Sequence, residues 1–301
     1  MHAVTEAVIV SVDDPGATVD AGQTAASLEV LKERLRRLGR VVVAFSGGAD
    51  SSLLAKVAHD TLGGAAVLCA TALSPSLAGS EEAACRALAV EWGLRWVGVE
   101  TTEMEDAAYL ANGPDRCARC KTALMDALGP LAAAEDATVV LGVNVSDLGE
   151  HRPGQAAAAA AGAVFPLVEA GFTKEDIRSW SRALGLRTWD KPAAACLASR
   201  LPYGTPVTLA RLGAVEAAES ALRALGFGQL RVRHHGDVAR LEVELSELDK
   251  VVARRAEVVG AVRAAGFRFV ALDLEGFRSG SLNRVLGPAG AATDPTKEEA
   301  R

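Results

Sequence analysis

The sequence predicts an α/β protein built on an open, mostly parallel sheet flanked by helices, followed by a smaller C-terminal α+β unit. Three observations carry that prediction. Short apolar runs such as Val41-Val42-Val43-Ala44-Phe45 and Thr138-Val139-Val140-Leu141 alternate with stretches of helical period. The first run ends in a glycine turn, Ser46-Gly47-Gly48, that opens directly onto a helix. Past Pro206 the alternation gives way to helix, two strands, helix and strand.

From Leu28 to Leu38 apolar residues recur at helical spacing among Lys32, Glu33, Arg34, Arg36 and Arg37, an amphipathic helix that feeds the first strand. Behind the glycine turn, Leu53-Leu54-Ala55-Lys56-Val57-Ala58 continues as a helix. Ala65 to Ala70 is a second buried strand, Glu81 to Trp92 a helix and Leu94 to Val99 a third strand. Lys121 to Glu135 reads as another helix, and Thr138 to Gly142 as a strand that runs into Val143-Asn144-Val145-Ser146-Asp147. Pro202, Gly204 and Pro206 interrupt any regular element and mark a boundary. Beyond it come a helix from Leu209 to Leu225, strands at Gln229–His234 and Ala239–Leu245, a helix from Ser246 to Ala265 and a strand at Phe269–Leu274. The expected organisation is an N-terminal extension over 1–24, an α/β domain over 25–200, an α+β domain over 206–285 and a disordered tail over 286–301.

The chain has 301 residues, 50% of them hydrophobic, enough for one large core or two modest ones. It contains no apolar run long enough to span a membrane. Met1 to about Gln23 lacks the basic start and compact apolar segment of a signal peptide, so a cytoplasmic location is expected. A formal net charge of −6 with 4% aromatic residues argues against a nucleic-acid surface and for a small ligand.

Two glycines let the turn approach a ligand closely, while Ser46, Ser51, Ser52 and the unpaired N–H groups of the helix start favour an anion. No lysine follows the glycines, so the turn is not a Walker loop; it resembles the PP-loop of ATP pyrophosphatases. A carboxylate at Asp50 would repel a triphosphate without a divalent cation between them, which implies Mg²⁺. Ligands of open parallel sheets sit beyond the carboxyl ends of the strands. The glycine turn, Thr71 to Ser76, and Gly142 with Asn144 and Asp147 all fall there. An ordinary βα loop shaped only for packing is the plainer alternative.

Five cysteines divide into two sorts. Cys69 and Cys85 sit among apolar neighbours and read as core. Cys117 and Cys120 form a Cys-x-x-Cys in a loop before a helix, flanked by Arg116, Arg119 and Lys121, cations that would lower a thiol's pKa. Cys196 lies in Lys191-Pro192-Ala193-Ala194-Ala195-Cys196-Leu197-Ala198-Ser199-Arg200. Three thiolates suit an iron–sulfur cluster with one open iron; structural zinc wants a fourth ligand, which His234 or His235 could supply. Arg231 and Arg233, two apart on a strand, project from one face and could grip a phosphate or carboxylate with Ser199 and Arg200. A solvated basic stripe is the rival reading.

On these motifs, together with Asp147-Leu148-Gly149-Glu150-His151-Arg152-Pro153-Gly154, Cys196 to Gly204, Arg231 to Gly236 and Leu272 to Arg278, the chain resembles the LarE family from about Leu28 to Asn283. These are the ATP-dependent sulfur transferases of nickel-pincer nucleotide synthesis, which serve lactate racemase. The resemblance implies ATP and Mg²⁺ at Ser46, Gly47, Gly48, Asp50, Ser51, Ser52, Thr71, Gly142, Asn144 and Asp147. It implies adenylation of a carboxylate of a pyridinium dicarboxylate mononucleotide, whose phosphate would rest on Ser199, Arg200, Arg231 and Arg233. Sulfur would be delivered at Cys196, either from that residue's own side chain or through a [4Fe–4S] cluster on Cys117, Cys120 and Cys196. The second route is favoured because three cysteines are present. The family also implies a homo-oligomer. The rivals are a PP-loop tRNA thiolase, an ammonia-using synthetase and a non-catalytic nucleotide sensor with structural zinc.

Overall fold

A computed structural model describes residues 21–148, 153–192 and 195–278, with side chains described from Leu28 onward except that of Pro153. The extension before residue 21, the motif residues 149–152, Ala193, Ala194 and the chain from 279 lie outside the described residues.

Helix α1 (Ala21–Leu38) buries Leu28, Leu31 and Leu35, one stripe at helical spacing. Strand β1 (Val41–Ala44) follows, then α2 (Ala49–Leu62), β2 (Val67–Leu73), α3 (Gly79–Glu91) and β3 (Arg95–Glu100). A short helix α4 (Ala107–Leu110) and the long α5 (Arg116–Ala134) lead to β4 (Thr138–Leu141). The four strands form one all-parallel sheet in the order β3-β2-β1-β4, with Val42 opposite Leu68 on one side and Val139 on the other. Both faces are covered, which is why β1 is continuously apolar. Val41 and Val43 join the cluster of Leu31, Leu53, Leu54 and Leu88, whereas Val42 joins that of Leu124, Leu128 and Val139.

Helices α6 (Pro153–Ala160), α7 (Pro166–Glu169) and α8 (Lys174–Ala183) come next, and a 3₁₀ turn spans Leu197–Arg200. Then follow α9 (Leu209–Ala224), β5 (Leu230–His235), β6 (Val238–Val243), α10 (Leu248–Ala253), α11 (Arg255–Ala264) and β7 (Phe269–Leu272). They build a separate small sheet, β5-β6-β7, in which β6 runs antiparallel to β5 and parallel to β7. Its core holds Leu212, Val215, Leu222, Val232, Leu241 and Val258, and extends to Tyr109, Leu197, Ala198 and Leu201. Among the described residues no helix is long and apolar enough to cross a membrane.

Three expectations are corrected. Helix α5 begins at Arg116, so Cys117 and Cys120 lie in its first turns and not in a preceding loop. The charged residues there mask the apolar stripe that begins only at Ala123 and Leu124. The single helix from Ser246 to Ala265 is instead a 3₁₀ turn and two helices, α10 and α11, broken at Arg254 with φ −102° and ψ 25°. Strand β2 starts at Val67 after a 3₁₀ turn over Gly64–Ala66 and runs on to Leu73, which puts Thr71 inside the strand.

Candidate active site

The glycine turn sits at the carboxyl end of β1. Gly47 has φ 65°, in the left-handed region that favours glycine, and is pressed so close to α3 that an added Cβ would lie 2.9 Å from Cys85 Sγ. Gly48 caps α2 with extended backbone. Ser51 Oγ accepts from the Ser46 amide at 3.2 Å, lies 3.1 Å from Ser46 Oγ and donates to the Gly48 carbonyl at 3.3 Å. The turn is thereby closed on itself, with Ser46 exposed at its rim. Ser52 and Thr71 face elsewhere. The Ser52 hydroxyl is fully buried without a partner among the described residues, and the Thr71 hydroxyl donates to the Phe45 carbonyl at 2.6 Å while accepting from Trp96 Nε1 at 2.9 Å.

Asp50, in the first turn of α2, accepts a hydrogen bond from Asn144 Nδ2 at 2.8 Å. Asn144 and Asp147 cap the turn after β4 reciprocally, and Asp147 pairs with Lys174 at 3.2 Å. Burial pushes the Asp50 carboxyl above its ordinary value; the Asn144 bond opposes that shift and the neighbouring Asp147 charge reinforces it. A group so placed gains from a cation between it and a polyphosphate. Gly142 lets the two segments meet: a Cβ there would stand 2.7 Å from the Ser51 nitrogen and 2.9 Å from Asp50 C and Ser51 Cα.

The thiol arm is assembled by Arg116. Its Nη1 donates to Asn112 Oδ1 at 2.6 Å and to the Ala198 carbonyl at 2.9 Å, fixing the start of α5 against the turn that follows Cys196. Asn112, buried at φ 58°, donates in turn to the carbonyls of Pro202 and Thr205, both at 2.8 Å. Cys117, Cys120 and Cys196 are all free thiols and lie near enough for their charges to act on one another. The Cys120 thiol is pushed up to about 12 by burial first and then by Cys196 and Glu103, the reverse of the lowering that flanking cations predict. Lys121 opposes the shift weakly; Arg119 is drawn off by Asp115 at 3.1 Å. Cys69 and Cys85 are buried in the main core, as expected.

The basic arm is more buried than the sequence implies. Arg200 forks onto Glu219 at 2.8 and 3.2 Å and also donates to the carbonyls of Ala195 and Cys196 and to Ser199 Oγ. Arg233 donates to the Ser199 carbonyl and to Glu242, both at 2.8 Å. Arg231 is 7% exposed, stacks on Phe277 at 4.5 Å and pairs with no carboxylate among the described residues. Burial, then the charges of Arg233 and Arg200, pull it down to about 10. Three neighbouring guanidiniums against Glu219 and Glu242 leave a net positive cluster suited to an anion. His234 is buried edge-on to Phe267, with ring centroids 5.2 Å apart, and His235 is exposed.

Sequence reasoning missed two participants. Glu219, inside α9, accepts from Arg200, Arg223 and the Val232 amide. Lys191 reaches the glycine turn, its Nζ 3.1 Å from the Gly47 carbonyl oxygen and 2.7 Å from Glu81 Oε2.

A glycine turn beyond the carboxyl edge of an all-parallel sheet, lacking the lysine of a Walker loop, places the chain in the PP-loop class of α/β proteins. Comparison with known proteins narrows the class. No family model matches the chain. It is 44% identical over 262 residues to an uncharacterized protein of Synechocystis sp., covering 86% of this chain and 97% of that one. It is 39% identical over 260 residues to the pyridinium-3,5-bisthiocarboxylic acid mononucleotide synthase of Lactiplantibacillus plantarum, covering 86% and 94% respectively. An uncharacterized protein of Methanocaldococcus jannaschii is 26% identical over 252 residues. The chain belongs to the LarE family, that of the Lactiplantibacillus synthase.

Proposed function

We propose that the protein is an ATP-dependent sulfur transferase that converts a carboxylate of a pyridinium-3,5-dicarboxylate mononucleotide into a thiocarboxylate. The observation that carries this reading is where the chain attaches on either side of Cys196. Lys191 at one end touches the Gly47 carbonyl of the anion turn, and the Leu197 amide at the other donates to the Ser76 carbonyl at 2.8 Å. Both attachments lie at the carboxyl edge of the parallel sheet, which supports delivery of sulfur from Cys196 there.

The turn of Ser46, Gly47, Gly48 and Ser51 holds the triphosphate, and Asp50 takes the Mg²⁺ that its buried charge requires. Asn144, Asp147 and Gly142 act through Asp50 by fixing its position; Thr71 and Ser52 shape the sheet edge and the helix beneath. A substrate carboxylate oxygen bonds to the α-phosphorus, and pyrophosphate leaves with the electron pair of the broken P–O bond. Sulfur presented at Cys196 then bonds to the acyl carbon, and AMP departs with the C–O electron pair, so that one difficult substitution becomes two easier ones; where the sulfur is that of Cys196 itself, loss of its Cα proton and cleavage of its Cβ–S bond then free the thiocarboxylate and leave dehydroalanine. Arg231, supported by Ser199, Arg200 and Arg233, takes the substrate's phosphate. Sheet β5-β6-β7 with α9 thus serves as the substrate-binding domain.

The donor chemistry of Cys117, Cys120 and Cys196 suits a [4Fe–4S] cluster: three free thiols act on one another's charge, and Cys120 stays protonated unless a metal displaces its proton. Such a cluster would supply a transferable sulfide in place of the Cys196 sulfur. Among the described residues no group of three His, Cys, Asp or Glu is close enough to hold a single metal ion, and the burial of His234 against Phe267 does not favour zinc.

Anaerobic purification, iron analysis and intact mass before and after turnover test this reading. Release of pyrophosphate with formation of thiocarboxylate supports it. Iron bound with an unchanged chain mass supports the cluster, and loss of one sulfur from Cys196 supports the sacrificial route. ATP binding without pyrophosphate release on the pyridinium dicarboxylate overturns the proposal.

A further inference from the structure

The anion turn lacks the lysine that a Walker loop carries beside its glycines, yet a triphosphate brings charge that a backbone nest and one helix end offset only in part. The fold brings a lysine there from the far side of the sequence. Lys191 Nζ donates to the Gly47 carbonyl at 3.1 Å, across a separation of 144 residues, and to Glu81 Oε2 at 2.7 Å. Its side chain is only 22% exposed and that of Glu81 25%, so this is not a solvated surface pair. On the opposite flank of the turn, Lys174 is committed to Asp147.

We propose that Lys191 is the cation of this phosphate loop, held beside it by Glu81 until the β- and γ-phosphates arrive. The proposal rests on the nucleotide reading above and extends it to a residue outside the glycine motif. An ammonium bound to the Gly47 carbonyl fixes the peptide whose conformation shapes the turn. The same ammonium lies within reach of charge that develops as pyrophosphate departs. Glu81 supplies the switch: its carboxylate competes for the ammonium with an incoming polyphosphate, which carries more charge.

The test is calorimetric binding of ATP, inorganic pyrophosphate and AMP, each with Mg²⁺, to the full chain as wild type, Lys191→Gln, Lys191→Arg and Glu81→Gln. Lys191→Gln is expected to weaken ATP and pyrophosphate by about 10- to 100-fold, the worth of one charged hydrogen bond, and to leave AMP within about twofold. Lys191→Arg should recover most of the loss. Glu81→Gln, which frees the ammonium, should bind pyrophosphate as tightly as wild type or more so. Equal weakening of all three ligands by Lys191→Gln would mark a strut between segments and overturn the inference, as would no weakening of any. Weaker pyrophosphate binding in Glu81→Gln would overturn the role given to Glu81. Wild-type protein that binds ATP through Lys191 yet forms no thiocarboxylate would sink the sulfur-transfer reading and leave this inference standing.

Discussion

Replacing Gly142 by alanine should damage the anion turn without altering any side chain that binds nucleotide. The new methyl would meet backbone, not a side chain that can swing aside: 2.7 Å to the Ser51 nitrogen and 2.9 Å to Asp50 C and Ser51 Cα, where ordinary contacts begin at 3.4 Å. Either the end of β4 or the first turn of α2 must retreat by roughly half an ångström or more, and overpacking of that kind costs about 1–3 kcal/mol. The movement separates Asn144 from Asp50 and loosens Ser51 from Ser46, so ATP affinity falls along with stability. Gly260, inside α11 with nothing within 4 Å of its missing Cβ, is the matched control. Gly260→Ala should gain about 0.5–1 kcal/mol from helix propensity alone. Urea unfolding of both variants, with calorimetry of Mg-ATP, reads the contrast. A Gly142→Ala protein that unfolds at the wild-type midpoint and binds ATP equally well would refute the close-approach argument.

Other outcomes follow from the same geometry. Glu219→Gln leaves Arg200 buried without its counter-charge and should cost about 3–5 kcal/mol by denaturant titration. Burial acts to raise the Glu219 pKa, but Arg200, the Val232 amide and Arg223 outweigh it and hold the carboxyl below its ordinary 4.5. Its stabilising contribution is therefore complete above that value and should fade as pH falls through the lower folded pKa, a loss that an acid titration of Glu219→Gln should not show. Among the described residues Arg231 pairs with no carboxylate, so Arg231→Met should leave thermal stability unchanged or higher while raising the KM of the phosphorylated substrate at least about tenfold. Asp50→Asn removes a buried charge that burial disfavours; the nucleotide-free protein should melt at a higher temperature and release no pyrophosphate.

What the sequence reveals follows the range of each interaction. The β1 strand, glycine turn and α2 start are legible because all the information lies within some twenty consecutive residues, and Asp50 stands out there by its charge. The parallel sheet is legible from apolar runs buried on both faces. Thr71 is correctly placed near the carboxyl edge, but its hydroxyl is consumed by Phe45 and Trp96, partners that no local pattern announces. Lys191 and Glu219 are invisible for the same reason: each acts through groups far away in the chain, and on a helix Glu219 looks like any solvated acid. Helix α6 escapes notice because its alanine-rich sequence offers no polar face to set a period, whereas α8 carries a legible signature, the reciprocal cap of Thr173 and Asp176, that the reading passes over. The two thiols near Arg116 are taken for a loop because cations crowd the turn before the apolar stripe begins.

The fork of Arg200 on Glu219 has a consequence for how such proteins diversify. Residues 195–201 are bolted to α9 and, through Arg233, to β5, so the sulfur-presenting turn cannot be exchanged by itself. A chimera that imports this stretch from a relative would need the matching glutamates carried along, and lineages that alter one member should alter the others together. Recombination breakpoints in this family are accordingly expected ahead of Lys191 or beyond β7, rather than between them.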